Sequence, residues 1–205
     1  MNGLSIIPLA ITVILGPQIT VSILLLTEQK PVQKSIVYIL GITFGIICLT
    51  FLTYTIISNY HFNAPNPAYQ RDIKVASTIL LVYLMLKNFL QRKKLTQKPK
   101  WMQSLQNASL KSIFLMGLGL VLFMPADIGV AVSVGAILVA KSETLIQAIP
   151  LFCAVAFFIS IPLGIYLLLG QRGPKLMEKV NHWINNNGWV INQIVYTMFV
   201  YLIWT

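Results

Sequence analysis

Charged side chains are scarce in this sequence, and acidic ones are the scarcest of all. Only 10% of the residues are charged, and five of the 205 residues are Asp or Glu. Because a soluble domain carries about 25% charged residues, this composition excludes an ordinary soluble protein. Hydrophobic residues instead make up 57% of the chain, and the mean hydropathy is +0.77. The composition therefore predicts an all-α integral membrane protein in contact with the lipid bilayer.

The residues that build metal, redox and catalytic sites are almost missing. The two cysteines, Cys48 and Cys153, lie in separate apolar stretches, so we expect no disulfide framework. The two histidines, His61 and His182, lie in separate polar segments on opposite sides of the predicted membrane topology. The sequence has no glycine-rich phosphate-binding loop and no nucleophile with a recognisable base. We therefore predict that the protein is not an enzyme, with no catalytic residue, metal site or cofactor.

Apolar segments of membrane-spanning length account for most of the chain. We predict a single membrane domain over residues 1–205, in which the first half covers about 1–90 and the second about 112–205. A basic cytoplasmic loop at about 91–111 separates the halves. The six predicted transmembrane helices cover residues 4–26, 35–57, 74–90, 113–140, 145–169 and 189–204.

Lysine and arginine are concentrated after the first, third and fifth predicted helices. Because such residues are retained on the cytoplasmic side, we expect both termini outside in a multi-pass protein of the cytoplasmic (plasma) membrane. The formal charge of +10 has the same explanation, so we expect no nucleic-acid partner. Three helices per half give the halves opposite orientations. This predicts a 3+3 inverted-topology repeat, which is common among secondary transporters.

Each half begins with an apolar segment that a proline interrupts. Gly16, Pro17 and Gln18 form the break in the first predicted helix, and Pro125 and Asp127 mark the break in the fourth. Proline removes a backbone hydrogen bond, and in a bilayer such a break is tolerated where it faces protein or a wet cavity. Interrupted segments at corresponding positions of two halves indicate a transporter's binding site. These five residues are therefore the candidate substrate or ion pathway.

Asp127 is the one acidic residue inside a predicted membrane helix. A carboxylate at bilayer depth is costly, and it normally marks a proton or ion pathway. Because Asp127 follows Pro125 by two residues, it could instead cap a new helix. The sequence leaves both roles open.

Spaced glycines form a second pattern. Gly41 and Gly45 are four residues apart in the second predicted helix, and Gly117, Gly129 and Gly135 recur along the fourth. Small residues at such spacing let helix backbones approach closely in a membrane. We therefore predict that these two helices pack tightly against other helices.

The order of these motifs resembles a known family. The first segment runs through Gly16-Pro17 to Leu24-Leu25-Leu26 and the basic turn Lys30-Pro31. Later come Gly117-Leu118-Gly119-Leu120 before Pro125, and Pro162-Leu163-Gly164-Ile165-Tyr166 at the end of the fifth helix. This layout resembles the LysE-type exporter superfamily, and within it the GAP family of peptidoglycolipid- or sulfolipid-addressing proteins. Met124 and Asp127 depart from the family's usual residues around the second proline.

The resemblance implies an exporter or export accessory that moves a small or amphipathic solute outward. Relatives are linked to envelope lipids, amino acids or metal cations. One alternative is a membrane thiol-redox shuttle, because related thiol-shuttling proteins share the architecture and Cys48 and Cys153 occupy comparable places in the halves. Another is a non-transporting scaffold of a lipid-export machine. Expected partners are an unknown small solute or lipid, and the protein partners to consider are a second copy of the chain (a homodimer) or envelope-export proteins.

Overall fold

The computed structural model describes residues 3–14, 17–59, 67–92 and 108–204, and these residues are almost entirely helical. The predicted basic loop at 91–111 lies largely outside them. In chain order the helices are α1 (Gly3–Ile14), α2 (Pro17–Leu25), α3 (Pro31–Asn59), α4 (Pro67–Leu90), α5 (Leu110–Phe123), α6 (Pro125–Ala140), α7 (Ile149–Leu168) and α8 (Gly173–Trp204). Short 3-10 turns at Leu145–Ala148 and Gly170–Arg172 precede α7 and α8.

Apolar helices long enough to cross a membrane confirm the predicted class of protein. Among the described residues, α3 qualifies alone, as does the continuous segment Leu145–Leu168 that contains α7. α5 and α6 qualify together, with a bend of 68° between them, and add a third span if the pair is counted as one. Length and composition thus identify two or three spans in this part of the chain.

The break predicted at Pro125 is present. The first predicted helix, 4–26, contains α1 and α2, but the predicted break at Gly16 involves residues 15 and 16, which lie outside the described residues. The fourth, 113–140, is divided into α5 and α6, and α6 begins at Pro125. Proline suits the first position of a helix because its fixed φ is helical and its missing N–H is not needed there.

Two other predicted helices differ from the structure at their starts. The third, predicted at 74–90, begins earlier, at Pro67. The sixth, predicted at 189–204, is the last part of α8, which begins at Gly173 and has a non-helical residue at Asn187 (φ −125°, ψ 26°). Hydropathy marks only the apolar part of a helix, whereas the backbone hydrogen bonds continue through its polar turns.

Close helix packing at glycines is confirmed where α3 meets α5. A Cβ atom on Gly41 would lie 2.5 Å from the carbonyl oxygen of Phe114, and one on Gly117 would lie 2.9 Å from that of Tyr38. The two backbones can approach this closely only because neither glycine has a side chain. Gly129 differs, since a Cβ atom there would meet nothing within 4 Å.

The central helices α3 and α7 pack against each other and against several further helices. α3 also packs against α5 and α6, α7 also packs against α1 and α2, and α8 packs against α4 and contacts α1, α2 and α7. The α4–α8 pair is joined by side-chain amides: Asn88 Nδ2 donates to the Trp189 carbonyl at 2.9 Å, and Gln193 Nε2 donates to the Met85 carbonyl at 2.8 Å. The apolar core lies mainly between α1, α2, α3, α6 and α7 and includes Val13, Val21, Ile42, Ile46, Val134 and Leu151.

Candidate functional site

Gln18 and Asp127 are hydrogen-bonded to each other in the protein interior. Gln18 Nε2 donates to Asp127 Oδ2 at 2.7 Å, although 109 residues separate the two in sequence. The side chains are 1% and 0% exposed, respectively. Gln18 lies in the first turn of α2 and Asp127 in the first turn of α6. The structure therefore brings together the polar side chains of the two proline breaks.

The second break places Asp127 at a new helix start. Met124 has an extended conformation (φ −79°, ψ 121°) between α5 and α6. Its N–H donates to the Leu120 carbonyl and ends α5, whereas its carbonyl accepts from the Asp127 N–H and begins α6. Pro125 has no N–H to offer the Val121 carbonyl, so the helix cannot continue straight through. The positive end of the α6 dipole therefore lies beside the Asp127 carboxyl group.

The structure distinguishes between the two roles that the sequence left open for Asp127. Met124, not Asp127, occupies the N-cap position of α6, and no side chain caps that helix end. The Asp127 side chain instead bonds to Gln18. The capping interpretation is therefore wrong as a hydrogen-bonding role, and Asp127 is left with the inter-helix contact.

Each side chain of the pair has one unsatisfied oxygen. Gln18 Oε1 and Asp127 Oδ1 are buried and have no hydrogen-bond partner among the described residues. Buried polar atoms are rarely left unpaired, and a buried charge without a counter-charge is especially costly. The pair can therefore accept a further ligand that carries positive charge or a proton.

Tyr38 supports this site, although no sequence pattern identifies it. Its hydroxyl group donates to the Gln18 carbonyl at 3.1 Å, and its side chain is fully buried in α3. This contact holds the first turn of α2, which carries Gln18, against α3. In sequence Tyr38 resembles Tyr54 of the same helix, so only the fold identifies it as part of the site.

The remaining candidate residues lie apart from the buried pair. Pro17 is half-buried and Pro125 is exposed, while Gly16 lies outside the described residues. Successive residues of a helix turn point about 100° apart, so the side chains of one first turn cannot all face inward. Cys153 is exposed on α7 and Cys48 is partly buried on α3. Within the described ranges, no group of three or more His, Cys, Asp or Glu residues could hold a metal ion.

A groove of about 740 Å³ lies at the opposite end of α2 from Gln18. Its lining comes from the end of α2, the turn into α3, the end of α7 and the start of α8. Pro31, Tyr166 and Pro174 provide apolar surface, whereas Glu28, Lys30 and His182 provide charge and hydrogen-bonding groups. Apolar and polar walls in one groove suit an amphipathic molecule.

Apolar helices of spanning length around a buried polar pair define an α-helical membrane protein with a polar site between two broken helices. The chain belongs to the family described as Sap, sulfolipid-1-addressing protein, whose sequence model matches residues 6–205. No curated protein and no solved structure gives a significant match to it.

Proposed function

We propose that this protein is an exporter or export accessory of the cytoplasmic membrane that helps an amphipathic envelope lipid to move outward. The family description, which names a sulfolipid-addressing protein, supports a lipid as the cargo. The observation that carries the proposal is the buried Gln18–Asp127 hydrogen bond between two helix breaks. Polar groups deep in a membrane protein are costly, and they mark pathways for polar or charged groups.

The helix contacts support the proposed 3+3 inverted-topology repeat. Exchange of the two halves would map α1 and α2 onto α5 and α6, α3 onto α7, and α4 onto α8. α3 packs against α5 and α6, just as α7 packs against α1 and α2, and the α4–α8 contact maps onto itself. In this arrangement α2 and α6 start at the pseudo-two-fold axis, where the Gln18–Asp127 pair would form the central site.

The groove supports an amphipathic cargo. Its walls come from the segments that follow the first and fifth predicted helices, which the lysine and arginine distribution assigns to the cytoplasmic side. A lipid could place its polar headgroup beside Glu28 and His182 while its chains remain against apolar surface. The groove would then be the loading site, and the buried pair would lie further along the pathway.

A deletion strain tests this function. We expect its envelope lipids, compared by mass spectrometry between the inner membrane and the outer envelope, to accumulate on the inner side. The wild-type gene and the Asp72→Asn variant should restore export, because Asp72 is an exposed carboxylate on α4. Asp127→Ala and Gln18→Ala, expressed at equal levels, should restore much less. Unchanged lipid distribution in the deletion strain would contradict the proposal.

Purified protein separates an exporter from an accessory. Liposomes that contain the protein and the accumulated lipid should show lipid transfer between leaflets if the protein transports alone. Transfer that appears only when other envelope-export proteins are added would assign the accessory role. Neither result changes the expected effect of Asp127→Ala in the strain.

A further inference from the structure

We propose that Gln18 and Asp127 form a proton-binding site, in which one exchangeable proton closes a cyclic pair of hydrogen bonds between a carboxylic acid and an amide. Only the use of this proton in transport rests on the proposed function. Proton binding itself is argued from the two buried oxygens of the pair that have no hydrogen-bond partner.

The two unpaired atoms are complementary once a proton is added. One hydrogen bond already joins Gln18 Nε2 to Asp127 Oδ2, at 2.7 Å. The atoms without partners are the other oxygen of each group, Gln18 Oε1 and Asp127 Oδ1. Two acceptor oxygens cannot form a hydrogen bond with each other unless one of them carries a hydrogen. A proton on Asp127 Oδ1 creates an O–H donor, and Gln18 Oε1 is an acceptor on the side chain already bound.

The same proton removes the buried charge. Asp127 is fully buried, and its Oδ1 has no hydrogen-bond partner among the described residues. In the binding step a proton from the aqueous phase forms the O–H bond on Oδ1, and the carboxylate becomes a neutral acid. The reverse step breaks that bond and returns the proton to water. No other reactant is required.

The surroundings contain few groups that could compete for the proton. α1, α2 and the 3-10 turn before α7 carry no titratable side chain. Tyr38 interacts electrostatically with Asp127 and already donates to the Gln18 carbonyl. The other titratable groups of the surrounding helices α3, α5 and α7 are Lys34, Cys48, Tyr54, Lys111, Cys153 and Tyr166. α8 carries Lys175, Glu178, Lys179, His182, Tyr196 and Tyr201, of which Glu178 and His182 line the groove at the far end of α2.

Proton loss would loosen the contact between the two halves. The protonated pair joins the first turns of α2 and α6 by two hydrogen bonds. Deprotonation removes one of them and leaves two buried acceptor oxygens without a hydrogen-bond donor. Because α5 ends and α6 begins at Met124, the first turn of α6 can separate from α2 without loss of the backbone hydrogen bonds within α5. The site thus couples proton binding to the fit between α2 and α6.

Infrared difference spectroscopy on the purified protein in liposomes tests the proposal without measuring transport. Spectra of the wild type minus Asp127→Asn should show a carbonyl band of a protonated carboxyl group that disappears at high pH and shifts in heavy water. Gln18→Leu should move this band to the frequency of an acid without a hydrogen-bonded amide. Asp72→Asn should leave the band unchanged, which controls for the loss of a carboxylate as such.

Thermal unfolding supplies an independent measurement. An asparagine at position 127 can form two hydrogen bonds with the Gln18 amide at every pH, so Asp127→Asn should match the low-pH stability of the wild type and show no pH dependence from this site. A spectrum without the carboxyl band at any pH would overturn the proposal. So would a band that responds to added Na⁺ at constant pH, because this would assign a cation in place of the proton. Neither the infrared result nor the unfolding result depends on the lipid phenotype of the deletion strain. The proton-binding site and the lipid-export function can therefore be disproved independently.

Discussion

Thr53 Oγ1 donates a 2.9 Å hydrogen bond to the carbonyl oxygen of Ala131, and this bond joins α3 to α6. A second side-chain hydroxyl joins α2 to α7: Ser22 Oγ donates a hydrogen bond to the Ile159 carbonyl at 3.3 Å. Both hydroxyl groups are buried. One hydroxyl hydrogen bond therefore joins α3 to α6, and another joins α7 to α2. Both α6 and α2 begin at a proline.

We predict that Thr53→Val lowers the stability of the protein by about 0.6 kcal/mol, the average for hydrogen bonds between membrane helices. The Thr53 hydroxyl also lies 3.0 Å from the Leu49 carbonyl and 3.1 Å from the Thr50 carbonyl of its own helix, so valine, which has nearly the shape of threonine, removes these contacts together with the bond to Ala131. Thr55→Val is the matched control, because Thr55 donates to the Phe51 carbonyl of its own helix. Thermal unfolding in detergent provides the measurement. Equal effects of the two substitutions would show that the inter-helix bond adds nothing.

We predict that Gly41→Ala destabilises the protein by about 1–3 kcal/mol, the usual cost of overpacking. The new Cβ atom would lie 2.5 Å from the Phe114 carbonyl oxygen, and a backbone atom cannot rotate away as a side chain can. Gly129→Ala, where a Cβ meets nothing within 4 Å, should be neutral or stabilising. Unfolding temperatures of the two variants compare them directly. A harmless Gly41→Ala would mean that α3 and α5 do not approach this closely.

Replacement of Pro125 tests the bend between α5 and α6. Pro125→Ala restores the N–H that the Val121 carbonyl lacks, so we expect the 68° bend to be reduced and Asp127 to be displaced from Gln18. Export should fall severalfold while the amount of protein in the membrane stays near normal. Pro150→Ala is the control, because Pro150 is exposed at the start of α7. Normal export by the Pro125→Ala variant would show that the bend between α5 and α6 is not required for export.

The predicted topology can be tested with single cysteines in a background that lacks Cys48 and Cys153. Position 98 should react with a membrane-impermeant thiol reagent only after the membrane is opened, because the surrounding lysines are expected in the cytoplasm. Position 66 should react in intact cells. Labelling of position 66 only in opened cells would reverse the orientation, including the cytoplasmic assignment of the groove.

The two native cysteines should be dispensable. We predict that a variant with Cys48→Ala and Cys153→Ser restores lipid export in the deletion strain as well as the wild type does. Both cysteines are free and they lie on different helices, Cys48 on α3 and Cys153 on α7, so they form no disulfide that function could depend on. Lost export from a variant that still inserts and folds would favour the thiol-redox shuttle instead.

Much of the local structure could be predicted from the sequence because it depends on covalent geometry. Pro125 lacks an N–H group to offer the Val121 carbonyl, and the break predicted there is present, although α7 continues through Pro162. The close approach at Gly41 and Gly117 follows from the absence of a side chain. The starts of α4 and α8 could not be located from hydropathy, because their first turns are polar.

The sequence by itself determined the membrane class, the helical content and the break at Pro125, since each of these follows from composition or from single residues. Only the tertiary structure decided that Gln18 would meet Asp127, and that Tyr38 rather than Tyr54 would support the pair. Such contacts depend on how helices more than 100 residues apart in sequence rotate and slide against each other. That arrangement is set by the sum of many packing contacts and not by any local pattern.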